Sequence, residues 1–364
     1  MSLKLKSSAD PGGKGPISNQ AGLQRRAFDG TIPASYEKKK ILVTGANGYL
    51  GARLVEKLSG IDCEIMRLSR NGNFTAPVGR AARFKDRTAD LRDAGLWHDL
   101  ILEADILFHL AAQTSAVFSE KNPSEDFSVN CLPVCQLLET CRKKKKNLDI
   151  IFAGTVTQAG IPERLPVDET HPDRPATFYD LHKLMAEQYL KLYADRGLVR
   201  AVSLRLPNVY GPSPASGSPE RGVLNQIIRK ALAGEKLSVY GPGTQMRDYL
   251  YIEDALRAFL LAGDLIGKLN GQHCVIGTGK GYTLWDAFHL AADRAKILTG
   301  RRAPVEAAEP PSLLSAIECR NFVANPYHFT ELTGWVPAYS FDEGIDATLR
   351  RFHQDSKPED RGAA

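Results

Sequence analysis

The sequence lacks the long hydrophobic runs and the cysteine spacings that would place it among membrane, secreted or zinc-binding proteins. No apolar stretch reaches the roughly 18 residues that a bilayer-spanning helix needs. The first ~38 residues contain no hydrophobic segment of the kind that a secretion signal requires. The six cysteines among 364 residues show no C-x-x-C spacing, which disfavours zinc sites and disulfide frameworks. We therefore expect a cytoplasmic protein with reduced cysteines, no bound metal and no membrane contact.

A large excess of charge is also missing. The net charge is +5, and much of it lies in a lysine-rich leader and in the basic run Arg142–Lys146. Basic residues at the carboxyl end of a helix suit its dipole, so this run predicts a solvated helix end and not a nucleic-acid surface. Residues 1–38 are rich in Lys, Gly, Pro and Ser without apolar periodicity, which predicts a disordered leader. We expect residues 354–364 to form a flexible tail.

From residue 39 onward, apolar strands and amphipathic helices alternate, which is typical of a parallel sheet covered by helices. The predicted strands are Ile41–Thr44, Cys63–Leu68, Asp105–His109, Asp149–Ala153 and Val199–Arg205. The predicted helices are Tyr49–Leu58, Ala94–Glu103, Phe127–Lys144, Tyr179–Ala194, Val223–Ala233, Glu253–Leu265 and Leu284–Leu298. After Pro207 the pattern loosens into loops rich in Pro, Gly and Ser. The fold class is therefore α/β, with a Rossmann-type doubly wound domain over 39–206 and a smaller, mainly substrate-binding lobe over 207–353, some segments of which return to the first domain.

A glycine-rich loop follows the first predicted strand and opens the first predicted helix. Its spacing, Gly45-x-x-Gly48-x-x-Gly51, is weak by itself, but the strand before it and the helix after it are the context of a dinucleotide-binding loop. Such glycines let the backbone turn tightly, approach a pyrophosphate and pack helix against strand. The pyrophosphate would then lie at the helix N-terminus, near Tyr49 and Leu50, where unpaired N–H groups favour an anion.

Tyr179 and Lys183 stand one turn apart on a predicted helix, so their side chains share one face. An ammonium beside a phenol favours the ionised phenol, which allows proton exchange nearer neutral pH. The pattern occurs by chance in many helices, where the tyrosine would be a half-buried residue and the lysine a solvated one. Together with a dinucleotide loop, however, the pair predicts a carbonyl/alcohol oxidoreductase with Tyr179 and Lys183 as catalytic residues.

Several further motifs occur in a fixed order between residues 40 and 353. They are Thr44-Gly45-x-x-Gly48-x-x-Gly51, His109-Leu110-Ala111-Ala112, Tyr179-x-x-x-Lys183, Arg205-Leu206-Pro207-Asn208-Val209-Tyr210-Gly211-Pro212, Arg247-Asp248-Tyr249 and Leu332-Thr333-Gly334-Trp335-x-Pro337. In this order they resemble the extended short-chain dehydrogenases/reductases of the NAD(P)-dependent nucleotide-sugar epimerase/dehydratase type. The resemblance implies a nucleotide-sugar substrate and a homodimer built through a four-helix bundle.

The resemblance also implies roles for individual residues. A third catalytic residue should be a hydroxyl at the end of the strand before the tyrosine helix, where Thr155 falls, with Thr157 as the fallback. The alternative for Thr155 is a β-branched residue that merely ends a strand. The implied cofactor contacts also include Asp90, Leu91, Ala111, Ala112 and the ribose-binding Lys183. The implied substrate contacts are Thr155 and, at the nucleotide diphosphate, Asn208 and Arg247, although Arg247 could instead form a structural salt bridge with Asp254.

The end of the second predicted strand indicates the cofactor. An acidic residue there would bind the ribose hydroxyls of NAD, whereas an arginine suits the 2′-phosphate of NADP. The sequence has Leu68-Ser69-Arg70 with no carboxylate. Ser69 and Arg70 therefore favour NADP, with NAD as the alternative. The competing interpretation of Arg70 is a solvent-exposed loop arginine.

The reaction type stays open between two oxidoreductase chemistries. The family's dehydratases carry an acidic pair after the catalytic threonine, whereas this chain has Thr155-Val156-Thr157, which disfavours dehydration. The NADP preference favours reduction of a 4-keto sugar nucleotide with Tyr179 as proton donor. The alternative is a 4-epimerase with tightly held NAD(P). A non-enzymatic alternative is a redox-sensing regulator, which the intact Tyr179/Lys183 pair disfavours.

Overall fold

The computed structural model describes residues 32–75, 81–212, 222–309 and 316–356. Its strands, in chain order β1 to β13, are Lys40–Thr44, Glu64–Ser69, Arg83–Thr88, Ile106–His109, Asp149–Thr155, Arg200–Leu206, Asn208–Tyr210, Leu237–Tyr240, Met246–Arg247, Tyr249–Tyr251, Gln272–Val275, Tyr282–Thr283 and Val305–Ala308. Seven of them form a central sheet in the order β11-β6-β5-β4-β1-β2-β3. All of its neighbouring pairs are parallel. The predicted doubly wound α/β fold is confirmed.

The helices, in chain order α1 to α13, are Tyr49–Leu58, Leu96–Leu100, Ala116–Lys121, Pro123–Asn130, Leu132–Lys144, Phe178–Asp195, Val223–Ala233, Ile252–Asp264, Ile266–Leu269, Leu284–Thr299, Ala316–Cys319, Tyr327–Thr333 and Phe341–Ser356. Two 3₁₀ helices, Ala34–Tyr36 and Val156–Ala159, complete the described elements. Within these residues, no helix combines the length and the apolar character that crossing a bilayer demands.

The central strands are buried because helices cover both faces of the sheet. Residues 41–44 of β1 and all of β4 are buried, which explains why their sequences are continuous apolar runs and do not alternate. Separate apolar clusters lie on the two faces. The strand order reverses direction between β1 and β4, the switch point at which doubly wound sheets bind ligands beyond the carboxyl ends of their strands.

The predicted helix Phe127–Lys144 is wrong, because the structure has two helices there. α4 ends at Asn130, α5 begins at Leu132, and Cys131 between them has φ −116° and ψ −51°. Pro133 occupies the first turn of α5, where its missing N–H costs nothing. In a continuous helix the same proline would remove a hydrogen bond and clash with the preceding turn.

Two strands of the central sheet have no counterpart in the sequence prediction. β3 lies at one edge and is almost entirely exposed, so its charged sequence has no apolar signal. β11 lies at the opposite edge and comes from the second half of the chain. Helix α8, also from that half, contacts β5 and β6. Segments beyond residue 207 therefore form part of the first domain's architecture.

The predicted leader extends too far, because its last residues are packed. Tyr36 is fully buried, and its hydroxyl donates to the backbone oxygen of Leu260 at 2.6 Å. The aromatic ring lies 6.1 Å from that of Phe108 in β4, between ring centroids. Residues 32–38 are thus attached to the core, while the rest of the predicted leader and the end of the predicted tail lie outside the described residues.

Candidate active site

A single cleft of about 920 Å³ runs along the carboxyl ends of the sheet strands. Every residue that the sequence predicted for the site lines it: Gly45, Gly48, Tyr49, Leu50, Gly51, Ser69, Arg70, Asp90, Leu91, Ala111, Ala112, Thr155, Tyr179, Lys183, Asn208 and Arg247. The cleft therefore joins the predicted dinucleotide loop, the predicted proton donor and the predicted substrate contacts in one space.

The glycine loop is packed so closely that side chains cannot replace its glycines. Gly45 has a φ of +68°, and a Cβ atom there would lie 2.8 Å from the backbone nitrogen of Ala111. A Cβ atom on Gly51 would lie 2.1 Å from the carbonyl oxygen of Gly45. These contacts bring α1 against the end of β1 and against the segment after β4. This close packing is what a pyrophosphate-binding loop requires.

The N-terminus of α1 is open to an anion. Its N-cap is Gly48, which provides no side-chain oxygen, and its first turn holds no acidic residue. The unpaired N–H groups there carry the positive end of the helix dipole. The residues present therefore fit the pyrophosphate of a dinucleotide cofactor.

The end of β2 provides a hydroxyl and a guanidinium but no carboxylate. Ser69 is half-buried, and Arg70 is exposed at the rim of the cleft. Arg70 makes no salt bridge or hydrogen bond to the part of the chain that the structure describes. Asp90 also lines the cleft, but two of its hydrogen bonds come from the Arg92 side chain. Arg70 is therefore placed to bind an anionic group of a ligand at this rim.

Thr155 ends β5 and is held by the short helix that follows. Its backbone N–H donates to Gln158 Oε1 at 3.1 Å, while its own hydroxyl accepts from the Thr157 N–H at 3.3 Å. The Oγ1 atoms of Thr155 and Thr157 are 3.0 Å apart. Thr157 in turn donates its hydroxyl proton to Oδ1 of Asp180. Both threonines line the cleft. Thr155 therefore provides the predicted hydroxyl at the end of β5, and Thr157, the alternative candidate, is hydrogen-bonded to it.

Tyr179 and Lys183 lie in the first turns of α6, which Thr177 caps by accepting the Asp180 N–H at 3.2 Å. The Lys183 ammonium sits 3.9 Å above the centroid of the Phe152 ring. Burial lowers the pKa of Lys183 to about 7, although nearby Glu187 raises it. An anion in the cleft would restore the charged form of the lysine, so binding of a ligand and protonation of Lys183 should reinforce each other.

A buried ionic network around Glu187 is connected to Thr155 through Gln158. Gln158, which holds Thr155, donates through Nε2 to Glu187 at 3.1 Å. Arg205 donates to Glu187 at 2.7 and 3.1 Å and to Asp173 at 2.6 and 2.9 Å. Glu187 is fully buried, and the Arg205 side chain is 3% exposed. The Arg205 guanidinium holds the pKa of the Glu187 carboxyl well below its usual range against the effect of burial.

Arg247 lies on β9, lines the cleft and has no carboxylate partner among the residues that the structure describes. Its guanidinium donates to the backbone oxygens of Glu318 at 2.6 Å and of Arg320. The predicted alternative, a salt bridge to Asp254, does not form, because Asp254 is paired with Arg257 at 2.6 Å. Burial lowers the pKa of Arg247, so its charge is desolvated and favours an anionic ligand.

Sequence reasoning missed Arg320, a second arginine that lines the cleft. Its Nη1 atom is buried and has no hydrogen-bond partner among the described residues. Burial lowers the pKa of Arg320, and the charge of Arg247 acts in the same direction, while Asp180 and Tyr179 raise it. No motif marks Arg320, since it follows a short helix that only the tertiary structure brings to the site. The described residues contain no group of three or more side chains placed to hold a metal.

Comparisons with known proteins agree with this geometry. The family model "NAD dependent epimerase/dehydratase family" matches residues 41–277. A UDP-glucose 4-epimerase of Mycolicibacterium smegmatis is 30% identical over 325 residues, covering 87% of this chain and 100% of the relative. A putative UDP-glucose 4-epimerase of Methanocaldococcus jannaschii is 32% identical, covering 69% and 80%. The solved UDP-glucose 4-epimerase of Thermotoga maritima, bound to UDP-glucose, matches with a TM-score of 0.73 at 29% identity, covering 87% and 100%. This chain therefore belongs to the NAD-dependent epimerase/dehydratase family of extended short-chain dehydrogenases/reductases, as its motifs predicted.

Proposed function

We propose that this protein is an NAD(P)-dependent nucleotide-sugar 4-epimerase. The observation that carries the proposal is that the glycine loop, Thr155, Tyr179 and Lys183 line one cleft together with Arg247 and Arg320. The relatives named above are UDP-glucose 4-epimerases, and this chain spans the whole length of one of them. The similarity to these relatives favours an epimerase over the reductase that the sequence alone favoured.

We assign each cleft residue a separate role in the proposed reaction. The nicotinamide cofactor supplies the acceptor and the donor of the hydride. Tyr179 takes the proton from the sugar hydroxyl during oxidation and returns it during reduction, with the Lys183 ammonium stabilising its ionised form. The Thr155 hydroxyl contacts the same sugar oxygen. Because an arginine fork binds phosphate oxygens while remaining charged, Arg247 and Arg320 hold the nucleotide diphosphate end of the substrate, and Asn208 contributes a further contact.

A contact across the cleft supports retention of the cofactor, which an epimerase needs. The Tyr49 hydroxyl donates to the carbonyl oxygen of Gly211 at 2.9 Å and accepts from Asn225 Nδ2 at 3.2 Å. Asn225 Oδ1 accepts the Gly211 N–H at 2.9 Å. These hydrogen bonds join the loop at the pyrophosphate site to the second half of the chain. We expect them to slow the release of a bound dinucleotide.

The test is a single-turnover experiment with nucleotide sugars and their 4-keto derivatives. An epimerase equilibrates two 4-epimeric nucleotide sugars without net oxidation or reduction of the cofactor, so the amount of each cofactor form stays unchanged. A reductase consumes one NADPH for each 4-keto sugar. If no nucleotide sugar is converted with either cofactor, the proposed function is wrong.

The reductase remains the second candidate, because Ser69 and Arg70 suit NADP and because cellular NADP is kept mostly reduced. Replacing Arg70 with alanine should weaken NADPH binding by about tenfold or more, since it removes one charge-assisted contact of roughly 1.5–3 kcal/mol. NADH binding should change little. The measurement is a fluorescence titration with both reduced cofactors.

The matched control for this experiment is Arg87→Ala, which removes an exposed arginine from neighbouring β3 outside the cleft. This variant measures how much cofactor binding weakens when one positive charge is removed from this part of the surface without a change in the cleft. Equal weakening of NADPH and NADH binding in Arg70→Ala would show that Arg70 does not contact the 2′-phosphate, and the assignment of Ser69 and Arg70 to NADP would be wrong.

An exposed apolar stripe on α6 supports assembly as a homodimer. Phe178, Leu181, Tyr189 and Leu192 are between 38% and 43% exposed. At helical spacing they lie on one face, and contiguous exposed apolar surface marks interaction sites. Packing α5 and α6 against the same helices of a second copy would bury this face.

A further inference from the structure

We propose that Asp180 sets, through Thr157, whether the Thr155 hydroxyl accepts or donates a hydrogen bond at the reacting sugar oxygen. This deepens the proposed function and rests on it, because it requires that Thr155 faces the reacting oxygen. Asp180 follows Tyr179 in the chain, yet its carboxyl does not line the cleft. Asp180 is 2% exposed and bonds the Thr157 hydroxyl behind the site.

The argument begins with the number of protons in the chain of hydroxyls. Each threonine hydroxyl has one proton to donate. When Asp180 is ionised it can only accept, so the Thr157 proton is committed to Oδ1. The contact of 3.0 Å between the two threonine oxygens then requires Thr155 to donate to Thr157. In that state Thr155 offers the substrate lone pairs alone.

A proton on Asp180 reverses every bond in the chain. The carboxyl then donates to Thr157 Oγ1, Thr157 donates to Thr155 across 3.0 Å, and the Thr155 proton is free for the sugar oxygen. The Thr157 N–H to Thr155 Oγ1 bond, 3.3 Å long, is the same in both states. No heavy atom needs to move, since only hydroxyl and carboxyl protons change places.

The two states should differ in rate. Negative charge develops on the sugar oxygen as its proton is removed during oxidation, and again as hydride adds to the carbonyl carbon during reduction. A donor aimed at that oxygen stabilises this charge, whereas a lone pair does not. Loss of one such donor costs about 10²–10³ in kcat in enzymes where it has been removed. Protonated Asp180 therefore gives the faster enzyme. Asp180 is a positioning residue, because it acts only through Thr157 and Thr155.

The surroundings of Asp180 are consistent with a carboxyl that changes its protonation. Burial raises the pKa of Asp180, whereas hydrogen bonds from Thr157 and Thr177 and the positive charge of Arg320 lower it. Oδ2 is buried without a hydrogen-bond partner among the described residues. Three other charged or titratable groups around the start of α6 lie on the helix itself: Tyr179, His182 and Lys183. Three more come from neighbouring segments: Arg320 follows α11, Glu120 on α3 accepts the Phe178 N–H, and Asp126 on α4 pairs with His182.

The test compares the pH profiles of kcat for the wild type and for Asp180→Asn. An asparagine amide can donate to Thr157 through Nδ2 and cannot ionise, so it removes the pH-dependent change of state. We expect the wild-type kcat to fall by about tenfold or more as pH rises through the ionisation of Asp180, and this fall to be absent in the variant. Titrations of Tyr179 and Lys183 remain in both proteins, so the difference between the profiles isolates Asp180.

Two further variants separate the hydrogen-bond chain from a general effect on folding. Thr157→Val breaks the chain and should also remove the fall, whereas Thr157→Ser keeps the hydroxyl and should retain it. If Asp180→Asn lowers kcat by one factor at every pH with an unchanged profile, Asp180 has a structural role and the proposal is overturned. The same holds if Thr157→Val keeps the wild-type profile.

The pH dependence of protein stability tests the protonation of Asp180 without measuring activity. A carboxyl with a raised pKa contributes stability that is complete below the unfolded value of about 3.9 and is lost as pH rises through the folded value. The free energy of unfolding of the wild type should therefore fall relative to that of Asp180→Asn over this range. A difference that is independent of pH would overturn the proposal. Absence of turnover in all variants, on every nucleotide sugar, would instead overturn the proposed function and this inference with it.

Discussion

Replacing Tyr179 with phenylalanine is expected to lower kcat by about 10²–10⁴-fold while cofactor binding persists. The substitution removes only the hydroxyl, so α6, its Thr177 cap and the position of Lys183 should stay as they are. Without the phenol the site loses the group that we propose exchanges the sugar proton, while Thr155 keeps only its hydrogen bond to the sugar oxygen. The measurement is the initial rate of nucleotide-sugar conversion, together with a titration of the cofactor.

The matched control is Tyr189→Phe, which makes the same chemical change on the same helix at a residue that is 40% exposed and outside the cleft. Its rate should stay close to that of the wild type. A Tyr179→Phe enzyme with at least a tenth of the wild-type kcat would mean that Tyr179 is not the acid and base. Loss of cofactor binding in that variant would instead show that the phenol is needed to build the site.

The sequence was sufficient for the features that depend on local pattern. Strands with continuous apolar residues, such as β1 and β5, were predicted to within about two residues, because burial on both faces leaves a strong signal. The glycine loop and the Tyr179/Lys183 pair were found by spacing, and the structure brings them into one cleft. Their roles remain predictions until they are measured.

Features that depend on tertiary contacts could not be predicted in this way. Strand β3 has a charged, exposed sequence, and it is a strand only because β2 offers it a partner edge. Arg320 reaches the site from a segment without a motif, and Asp180 is an unspecified position within the Tyr179-x-x-x-Lys183 motif, so its contact with Thr157 has no sequence signal. The spacing of Thr155 and Thr157 was visible, but their bond to each other and to Asp180 was not.

Replacing Arg205 with methionine is expected to lower the free energy of unfolding by about 3–5 kcal/mol, because it leaves a buried charge without its main partner. Glu187 is fully buried and would keep only the Gln158 amide at 3.1 Å, the Ser203 hydroxyl at 2.8 Å and the Lys191 ammonium at 2.9 Å. Denaturant unfolding, followed by circular dichroism, measures the loss.

Arg200→Met is the matched control, because Arg200 lies on the same strand and binds Asp149 through two hydrogen bonds at 2.6 and 2.7 Å. Its side chain is 48% exposed, and exposed ion pairs contribute only about 0–1 kcal/mol. A similar loss in both variants would contradict the importance of burial. The double variant Arg205→Met/Glu187→Leu should recover part of the stability, since it also removes the buried carboxylate that the first substitution deprives of its main partner.

The pH dependence of this loss gives an independent check. In the wild type the pKa of Glu187 is depressed, so the network contributes stability above the unfolded pKa of about 4.3 and loses it as pH falls through the folded value. In Arg205→Met burial should raise the pKa of Glu187, and protonation then relieves the unpaired charge. The difference in stability should therefore be largest near neutral pH and shrink in acid. Because Glu187 holds Gln158, and Gln158 holds the Thr155 backbone, kcat should fall in the same variant even at temperatures where it remains folded.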